Sequence, residues 1–411
     1  MKPKLYKREF YLAKARPFYD SDLIKVITGI RRCGKSCLMQ TIMDELRERG
    51  VDEGAILYLN LDKRGCKNIK RTEQLEAAID RLASKRKGMK YLFIDEVQNV
   101  QDYEEVVNAY REEGDYSIFI TGSNSYLLSG ELATKLTGRY IEIDMFTLSF
   151  EEYVGMKRFL GKTIESNATK ELDEYLRSGG FPKALEFDDP AAKRTYLENV
   201  IEQIFQKDVR RRNKIRNRVA FDKVRRYFIN NFGTLISLEN IENILRKQEK
   251  LTVKRQTLRR YLKILEDAKI LYACPRFDMK SRKSLRGEGK FYLADTGIYF
   301  MTNVDGRINY GPVLENVVYT YLKSRGYAVS VGRIGDLECD FIARQGDAYF
   351  YIQVAMTIMA DKATEDREYR PFSSVKDKYP CILFTLDSLL QHRDGVLHYN
   401  LADFIMSGSK L

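Results

Sequence analysis

Residues 26–39 constrain the fold of this chain more than any other segment. The apolar run Val26-Ile27 leads into residues 29–36, which fit the pattern G-x-x-x-x-G-K-[ST], and the residues after Ser36 can open a helix. This order of strand, glycine-containing loop and helix is the context that a Walker A loop requires. The glycines let backbone N–H groups surround phosphate oxygens, and a helix N-terminus offers an anion its unpaired donors and a favourable dipole. The segment therefore predicts a phosphate-binding strand, loop and helix.

Each residue of the predicted loop has a role in this interpretation. Lys35 is predicted to reach the β- and γ-phosphates, and the Ser36 hydroxyl is predicted to hold Mg²⁺. The remaining loop residues would surround the phosphates and bind the nucleotide, namely Gly29, Ile30, Arg31, Arg32, Cys33, Gly34 and Cys37. The alternative is a glycine turn that joins a strand to a helix by chance, and a second motif argues against it.

That second motif supplies the acidic partners that such a loop needs. Residues 90–94 are mainly apolar and are followed directly by two carboxylates, Asp95 and Glu96. We interpret them as a central parallel strand whose carboxyl end delivers Asp95 to the metal and Glu96 to a water molecule. An apolar strand that simply ends in an acidic turn is the alternative for this motif taken alone.

Two further residues are candidates for catalytic roles. A third apolar strand, residues 116–121, runs into Gly122-Ser123-Asn124, where Asn124 is predicted to orient the attacking water and Ser123 is the second choice. Arg139 precedes another predicted strand, from which it would reach a γ-phosphate of its own chain or of a neighbouring subunit and stabilise charge in the transition state. Action on a neighbouring subunit would imply a homo-oligomer. An ordinary turn and a solvent-facing arginine are the alternatives.

The order of the predicted elements indicates an α/β protein. Apolar strands at 55–61, 90–95 and 116–121 alternate with amphipathic helices at 38–49 and 72–85, as in a doubly wound parallel sheet that binds ligands at its strand ends. No apolar run approaches the ~18 residues of a membrane span, and residues 1–4 do not lead into a secretory core, so we expect a cytoplasmic protein without membrane contact. Six cysteines without a C-x-x-C pair and two histidines disfavour a zinc site or a disulfide framework.

Residues 20–155 resemble the AAA-type P-loop ATPases, and closely a prokaryotic branch of that family. The resemblance rests on residues 29–36, 93–98, 121–124, 138–139 and 148–153. It implies a P-loop NTPase parallel sheet, placed at residues 1–160, with ATP and Mg²⁺ as cofactors. Carried over to this chain, Lys35 and Ser36 would bind phosphate and Mg²⁺, and Asp95 would hold the metal. Glu96 would activate water, and Asn124 would be the sensor.

At the end of the ATPase-like region, residues 175–182 read YLRSGGFP. Related ATPases use a Gly-x-Pro element of this kind to contact the bound nucleotide. The resemblance therefore makes Gly180 and Pro182 candidate nucleotide contacts and Arg177 a candidate second sensor. A glycine and proline hinge explains the same residues without a ligand.

Residues 161–304 are predicted to form a helical, basic domain. Two amphipathic helices at 237–245 and 257–268 are followed by predicted paired strands at 271–274 and 291–294, which is a winged-helix pattern. The formal net charge of +12 favours polyanionic partners. The basic segments 207–218 and 255–290 would contact DNA phosphates. A solvated helix face and a plain packing module are the alternatives for these segments.

Residues 305–411 are predicted to form a small α/β domain similar to the PD-(D/E)xK nucleases. Glu315 and Asp340 match the helix and strand carboxylates of that fold, but Gln353 stands in place of the second strand carboxylate and Ala355 in place of the lysine. Metal-assisted phosphodiester cleavage is hard to sustain without these two groups. We therefore expect a nuclease-like fold that has lost cleavage.

Three functions are consistent with the sequence. The leading one is a Mg²⁺-dependent ATPase whose nucleotide state drives or reports motion of C-terminal domains that contact DNA or a protein partner. The second is a DNA-binding switch that is set by the nucleotide state alone. The third is a nuclease powered by the ATPase.

Overall fold

The computed structural model describes residues 4–83, 88–122, 136, 138–210, 215–248, 250–279, 283–303, 309–334 and 337–411. These residues form two compact units. The first comprises the chain up to Met145 together with Asp267–Lys269, and the second comprises Phe146–Glu266 and Ile270–Leu411. The domain limits expected from the sequence, at 160/161 and 304/305, do not coincide with this division, and the three-domain scheme stays a prediction.

The first unit is a five-stranded sheet flanked by helices. Its strands are all parallel and lie in the order β2-β3-β4-β1-β5. The α/β class that the sequence predicts is therefore confirmed. The strands are β1 (Ile24–Gly29), β2 (Ile56–Asn60), β3 (Lys90–Asp95), β4 (Tyr116–Thr121) and β5 (Tyr140–Met145), and the helices are α1 (Glu9–Ala15), α2 (Lys35–Glu48), α3 (Thr72–Ala83) and α4 (Tyr103–Glu112).

The three central strands of this sheet are apolar because both of their faces are covered. Every residue of β1, β3 and β4 is buried, and continuous apolar runs are typical of parallel strands packed on both faces. Because the strands are parallel, their carboxyl ends, Gly29, Asp95 and Thr121, lie at the same edge of the sheet. That edge is where an open α/β sheet binds its ligands.

A buried lysine lies at the opposite, amino-terminal part of β1. The Lys25 ammonium donates hydrogen bonds to the Ser21 carbonyl oxygen (3.1 Å) and to Ser117 Oγ (2.8 Å). It also lies 4.5 Å from the centroid of the Phe119 ring. Burial lowers the pKa of Lys25 to about 7. At alkaline pH, Lys25 therefore binds a smaller fraction of a proton in the folded protein than in the unfolded chain.

We expect Lys25→Met to flatten the pH dependence of stability above pH 7. Because the folded pKa lies below the unfolded one, the free energy of unfolding of the wild type should rise as pH increases from 7 toward 9 and should fall back as pH drops to 7. The variant should lack this rise and be more stable than the wild type at pH 7. Urea titrations at several pH values measure it, and equal slopes in both proteins would contradict the assignment.

The second unit contains an eight-stranded mixed sheet in the order β13-β12-β11-β10-β9-β7-β8-β6. The helix that carries Tyr319 packs on this sheet, where the Tyr319 ring stacks on the ring of Tyr292 with centroids 4.5 Å apart. The strands are β6 (Leu235–Ile236), β7 (Leu271–Asp278), β8 (Lys283–Leu293), β9 (Ala328–Ile334), β10 (Leu337–Gln345), β11 (Ala348–Val354), β12 (Cys381–Thr385) and β13 (Leu397–Asn400).

The helices of the second unit lie before, between and after these strands. They are α5 (Phe150–Phe159), α6 (Ala168–Ser178), α7 (Pro190–Gln203), α8 (Arg218–Asn230), α9 (Leu238–Gln248), α10 (Arg255–Asp267), α11 (Thr296–Thr302), α12 (Tyr310–Ser324), α13 (Lys362–Tyr369) and α14 (Leu401–Met406), with Asp267 itself counted in the first unit. The basic segment 207–218 begins in a π-helical stretch, Ile204–Arg210, and its positions 211–214 lie outside the described residues. Among the described helices, none has the length and apolar character that crossing a membrane requires.

One continuous sheet connects the two regions that the sequence separates at 304/305. Strands β7 and β8 form an antiparallel hairpin, and β7 pairs in parallel with β9, with Arg276 opposite Val331 and Asp278 opposite Arg333. The predicted winged-helix and nuclease-like regions therefore share backbone hydrogen bonds across this pair of strands.

Candidate active site

The loop between β1 and α2 follows a course that favours glycine at two positions. Gly29 has φ of +140° and Gly34 has φ of +109°, and Arg32 between them also has a positive φ, of 69°. A Cβ atom on Gly29 would lie 2.2 Å from the backbone oxygen of Met145. Helix α2 begins immediately after Gly34, so its N-terminus points into the loop. The backbone thus forms a cradle of the kind that the sequence predicts.

The Lys35 side chain lies inside this cradle. Its ammonium donates hydrogen bonds to the carbonyl oxygens of Gly29 (2.9 Å) and Ile30 (3.1 Å), and the side chain is buried. Arg32, Ser36 and Cys37, in contrast, are exposed. The ammonium is therefore held at the loop, and Ser36 next to it is exposed to solvent.

Two arginines make contacts that fix the loop. The buried Arg8, ahead of α1, donates from Nη1 to the carbonyl oxygen of Cys33 at 3.1 Å. Arg31 Nη2 lies 3.8 Å from Asp62 Oδ2. The role of Arg8 was not predicted from the sequence, because nothing in its local pattern shows that the amino-terminal segment reaches the loop.

Asp95, at the end of β3, is oriented by the polar ends of the two neighbouring strands. Its Oδ2 accepts hydrogen bonds from Asn60 Nδ2 (2.8 Å) and from the Tyr58 hydroxyl (3.2 Å), both on β2. Its Oδ1 accepts a hydrogen bond from the Thr121 hydroxyl on β4. A carboxylate held in this way suits a hard cation such as Mg²⁺. Tyr58, Asn60 and Thr121 were not predicted as site residues, although a polar residue at the end of an apolar strand is a signal that could have found the last two.

Glu96 lies in a strained turn next to Asp95. Its φ of 59° is left-handed, and its N–H donates a hydrogen bond to Thr121 Oγ1 at 3.0 Å. The Gln98 amide donates a hydrogen bond to its carboxylate. Burial raises the pKa of Glu96, and the positive charges of Lys35 and Arg31 oppose this increase. A carboxylate with a raised pKa is suited to accept a proton near neutral pH, and left-handed strain of this kind is common at functional sites.

Of the other predicted catalytic residues, the structure describes Arg139, which does not lie in this group. Asn124 and Ser123 lie outside the described residues. Arg139 precedes β5, whose first residue pairs with Ile24 at the start of β1, whereas Gly29 lies at the end of β1. One strand length, about 16 Å, therefore separates Arg139 from the loop of its own chain. Its guanidinium instead contacts Asn108 Oδ1 (2.9 Å) and Glu112 Oε1 (3.3 Å). A role on its own γ-phosphate does not fit this placement, and action on a neighbouring subunit stays a prediction.

Gly180 and Pro182 belong to the second unit and have structural contacts there. The Gly180 N–H donates to Asp295 Oδ2 at 2.8 Å, and a Cβ on Gly180 would lie 2.3 Å from the Leu148 carbonyl oxygen. Pro182 begins a short 3₁₀ helix, Pro182–Glu186. Close packing thus accounts for the glycine, and the nucleotide contacts of Gly180 and Pro182 stay predictions.

The residues of the nuclease-like pattern lie near one another, and the amide of Gln353 contacts Asp340 and Glu368. The Asp340 N–H donates to Gln353 Oε1 at 3.3 Å, and Gln353 Nε2 donates to Glu368 Oε2 at 2.9 Å. Ala355 brings no functional side chain. In the described part of the chain, no group of three or more His, Cys, Asp or Glu side chains has a metal-binding arrangement. The loss of cleavage stays a prediction.

Comparisons with known proteins agree with the fold of the first unit. A family model described as "AAA domain" matches residues 21–154, and a second, described as "Domain of unknown function (DUF8612)", matches residues 169–306. The structure is similar to that of a Walker-type ATPase of Pyrococcus abyssi, with a TM-score of 0.50 and 14% sequence identity over 74% of this chain and 99% of the other. This likeness concerns the fold alone.

Two relatives match almost the whole chain. An uncharacterized protein of Haemophilus influenzae is 34% identical over 388 residues, which cover 94% of this chain and 94% of the relative. An uncharacterized protein of Methanocaldococcus jannaschii is 31% identical over 364 residues, which cover 86% of this chain and 79% of the relative. The chain therefore belongs to the same protein family as these two relatives, and its residues 21–154 form an AAA domain of the P-loop ATPase type.

Proposed function

We propose that this chain is a cytoplasmic ATPase that binds ATP with Mg²⁺ at the β1–α2 loop and hydrolyses it. The observation that carries the proposal is the meeting of three strand ends at one edge of the sheet. Strand β1 ends there at Gly29, where the loop begins, and β3 ends there at Asp95, whose carboxylate accepts a hydrogen bond from Thr121 at the end of β4. The adjacent Glu96 has a raised pKa. We also propose that the nucleotide state governs contacts of the second unit with DNA or a protein partner.

The residues of this site divide the chemistry among them. The loop N–H groups and Lys35 would bind the phosphates, and the oxygens of Ser36 and Asp95 would hold Mg²⁺. When bound, Mg²⁺ neutralises charge on the phosphate oxygens during phosphoryl transfer. Glu96 would accept a proton from the attacking water, and its N–H contact with Thr121 would keep the turn in place. Thr121 and Asn60 would keep Asp95 directed at the metal.

Lys35→Ala is expected to weaken ATP binding by about 10–100-fold, because the variant has no charged donor for the phosphates at this position. Titration of a fluorescent ATP analogue in the presence of Mg²⁺ measures the affinity. The matched control is Lys183→Ala, which removes an exposed lysine paired with Glu186 in the second unit. If Lys35→Ala bound ATP as tightly as the control does, the cradle would not be the binding site.

A second candidate function, a DNA-binding switch, is favoured by the order of elements around α10. Helix α8, the short strand β6, helices α9 and α10 and the β7–β8 hairpin follow one another, and β6 pairs with β8. We propose that this is a winged helix, in which α10 is the helix that approaches DNA. Arg259, Arg260 and Lys263 are exposed on α10. Arg255, at the start of this helix, is paired with Glu239 and Glu242 of α9.

If α10 contacts DNA, the double variant Arg259→Ala and Arg260→Ala should bind duplex DNA more weakly at every sequence. It should also lower the slope of log affinity against log salt concentration by about 1 for each phosphate that the protein no longer neutralises. Salt titrations with and without ATP measure both effects. The control replaces two exposed cations outside α10, Lys183→Ala and Arg194→Ala. Absence of wild-type binding at low salt would remove this function.

A further inference from the structure

The second unit contains a group of three carboxylates arranged around one buried lysine. We call Glu315 of α12 and Glu338 and Asp340 of β10 the acidic cluster. The Lys290 ammonium, on β8, lies 3.1 Å from Glu315 Oε2, 3.2 Å from Glu338 Oε1 and 3.6 Å from Asp340 Oδ1. Lys290 is only 5% exposed. One cation thus lies where oxygens from three carboxylates converge.

Each carboxylate of the acidic cluster is oriented by a further contact. The Tyr292 hydroxyl donates to Glu315 Oε2 at 2.7 Å, and the Val354 N–H donates to Asp340 Oδ2 at 2.9 Å. Arg276 Nη2 lies 3.7 Å from Glu338 Oε2. These contacts direct the remaining oxygens of Glu338 and Asp340 toward Lys290. The arrangement is therefore built around the ammonium and does not depend on a chance surface pairing.

The charges of the acidic cluster keep Lys290 ionised. Burial alone lowers the pKa of Lys290, but the nearby carboxylates of Glu315, Asp340 and Glu338 outweigh it, so that the pKa lies above its usual value. Burial raises the pKa of Glu315 and of Asp340, and the Lys290 charge opposes that increase. Removal of the ammonium would leave the largely buried Glu315 and Asp340, and the partly exposed Glu338, with much less compensation of their negative charge.

Converging carboxylate oxygens are the ligands that a divalent cation such as Mg²⁺ prefers. The residues present do not fit such an ion, because the centre of the acidic cluster is already taken by Lys290 and because Gln353 offers an amide where the nuclease pattern has a carboxylate. Lys290 comes from the β7–β8 hairpin, outside the stretch that carries the nuclease-like pattern. It therefore does not replace the lysine that the pattern has at the position of Ala355.

We propose that Lys290 is a built-in counter-ion that takes the place of a divalent cation in the acidic cluster, closes the cluster to metal ions and fastens the β7–β8 hairpin to the nuclease-like core. The nuclease-like region then serves as a metal-independent support for the hairpin and does no phosphodiester chemistry. This inference does not depend on ATP binding by the first unit.

The experiment uses Tb³⁺, an oxygen-seeking ion whose luminescence is excited through nearby tyrosines. The chain has no tryptophan, and Tyr292 touches the acidic cluster. We expect Lys290→Gln to bind Tb³⁺ with a half-saturating concentration at least about 10-fold lower than that of the wild type. Lys290→Arg, which keeps the charge, should resemble the wild type. Adding Asp340→Asn to Lys290→Gln should abolish the gain, which separates the acidic cluster from other carboxylates.

Two results would overturn the proposal. One is Tb³⁺ binding by the wild type that Asp340→Asn removes, because the lysine would then not exclude the ion. The other is a Lys290→Gln protein that keeps the circular dichroism spectrum of the wild type but shows no gain that depends on Asp340. If Lys290→Gln does not fold, the test compares Tb³⁺ binding by the wild type with Tb³⁺ binding by Asp340→Asn. Equal binding by these two proteins would support the exclusion of the ion from the acidic cluster.

Discussion

Glu96→Gln is expected to lower the rate of ATP hydrolysis by about 10²–10³-fold, equivalent to about 3–4 kcal/mol of transition-state stabilisation, while ATP binding is retained. Glutamine has nearly the same shape as glutamate, so the left-handed turn and the contact of its N–H with Thr121 should persist. The amide cannot accept a proton from water, which is the role that the raised pKa of Glu96 supports. Steady-state phosphate release and nucleotide titration measure the two effects separately.

The matched control for this variant is Glu73→Gln, which changes an exposed glutamate in the first turn of α3. It should leave both hydrolysis and binding unchanged. Wild-type turnover in Glu96→Gln would remove Glu96 from the catalytic group. A parallel loss of ATP affinity would instead indicate that the carboxylate is needed to form the binding site.

Gly29→Ala is expected to destabilise the first unit by about 3–5 kcal/mol, since two separate costs add. The φ of +140° is strained for any residue with a Cβ, and that Cβ would lie 2.2 Å from the Met145 backbone oxygen. Met145 is the partner of Gly29 in the pairing of β5 with β1, so relief of the clash would require the two strands to separate. Backbone atoms, unlike the end of a flexible side chain, cannot turn away.

Gly65→Ala is the control for this substitution, because a Cβ there meets no atom within 4 Å. Urea unfolding followed by circular dichroism gives the free energy of unfolding of both variants. The control should change it by less than about 1 kcal/mol. If the two variants were equally stable, the close approach of Met145 to the loop would not exist in solution.

The central features of the first unit were predictable because they depend on local patterns. The loop at residues 29–36 and the acidic pair Asp95 and Glu96 each follow an apolar strand, and parallel strands end at the same edge. The lateral order of the strands has no such local signal. For this reason the sequence did not show that Asn60 and Thr121 flank Asp95.

In the second unit, helices and strands were again easier to predict than their long-range pairing. A winged-helix and a nuclease-like region were predicted as separate stretches, because each pattern has its own spacing. The pairing of β7 with β9 joins residues far apart in the chain, and the approach of Lys290 to Glu338 and Asp340 depends on it. The residue spacing within the nuclease-like stretch could not show that a lysine from the winged-helix stretch lies beside its carboxylates.

The parallel pairing of β7 with β9 has a mechanical consequence. The β7–β8 hairpin is connected to β13 by a continuous series of backbone hydrogen bonds, so a force applied to the hairpin is transmitted through the whole sheet. We therefore expect the hairpin and the carboxyl-terminal strands to exchange their amide hydrogens as one cooperative block. Cleavage of the chain near position 304 would not release the hairpin, whereas a fragment that ended there would leave an open strand edge prone to self-association.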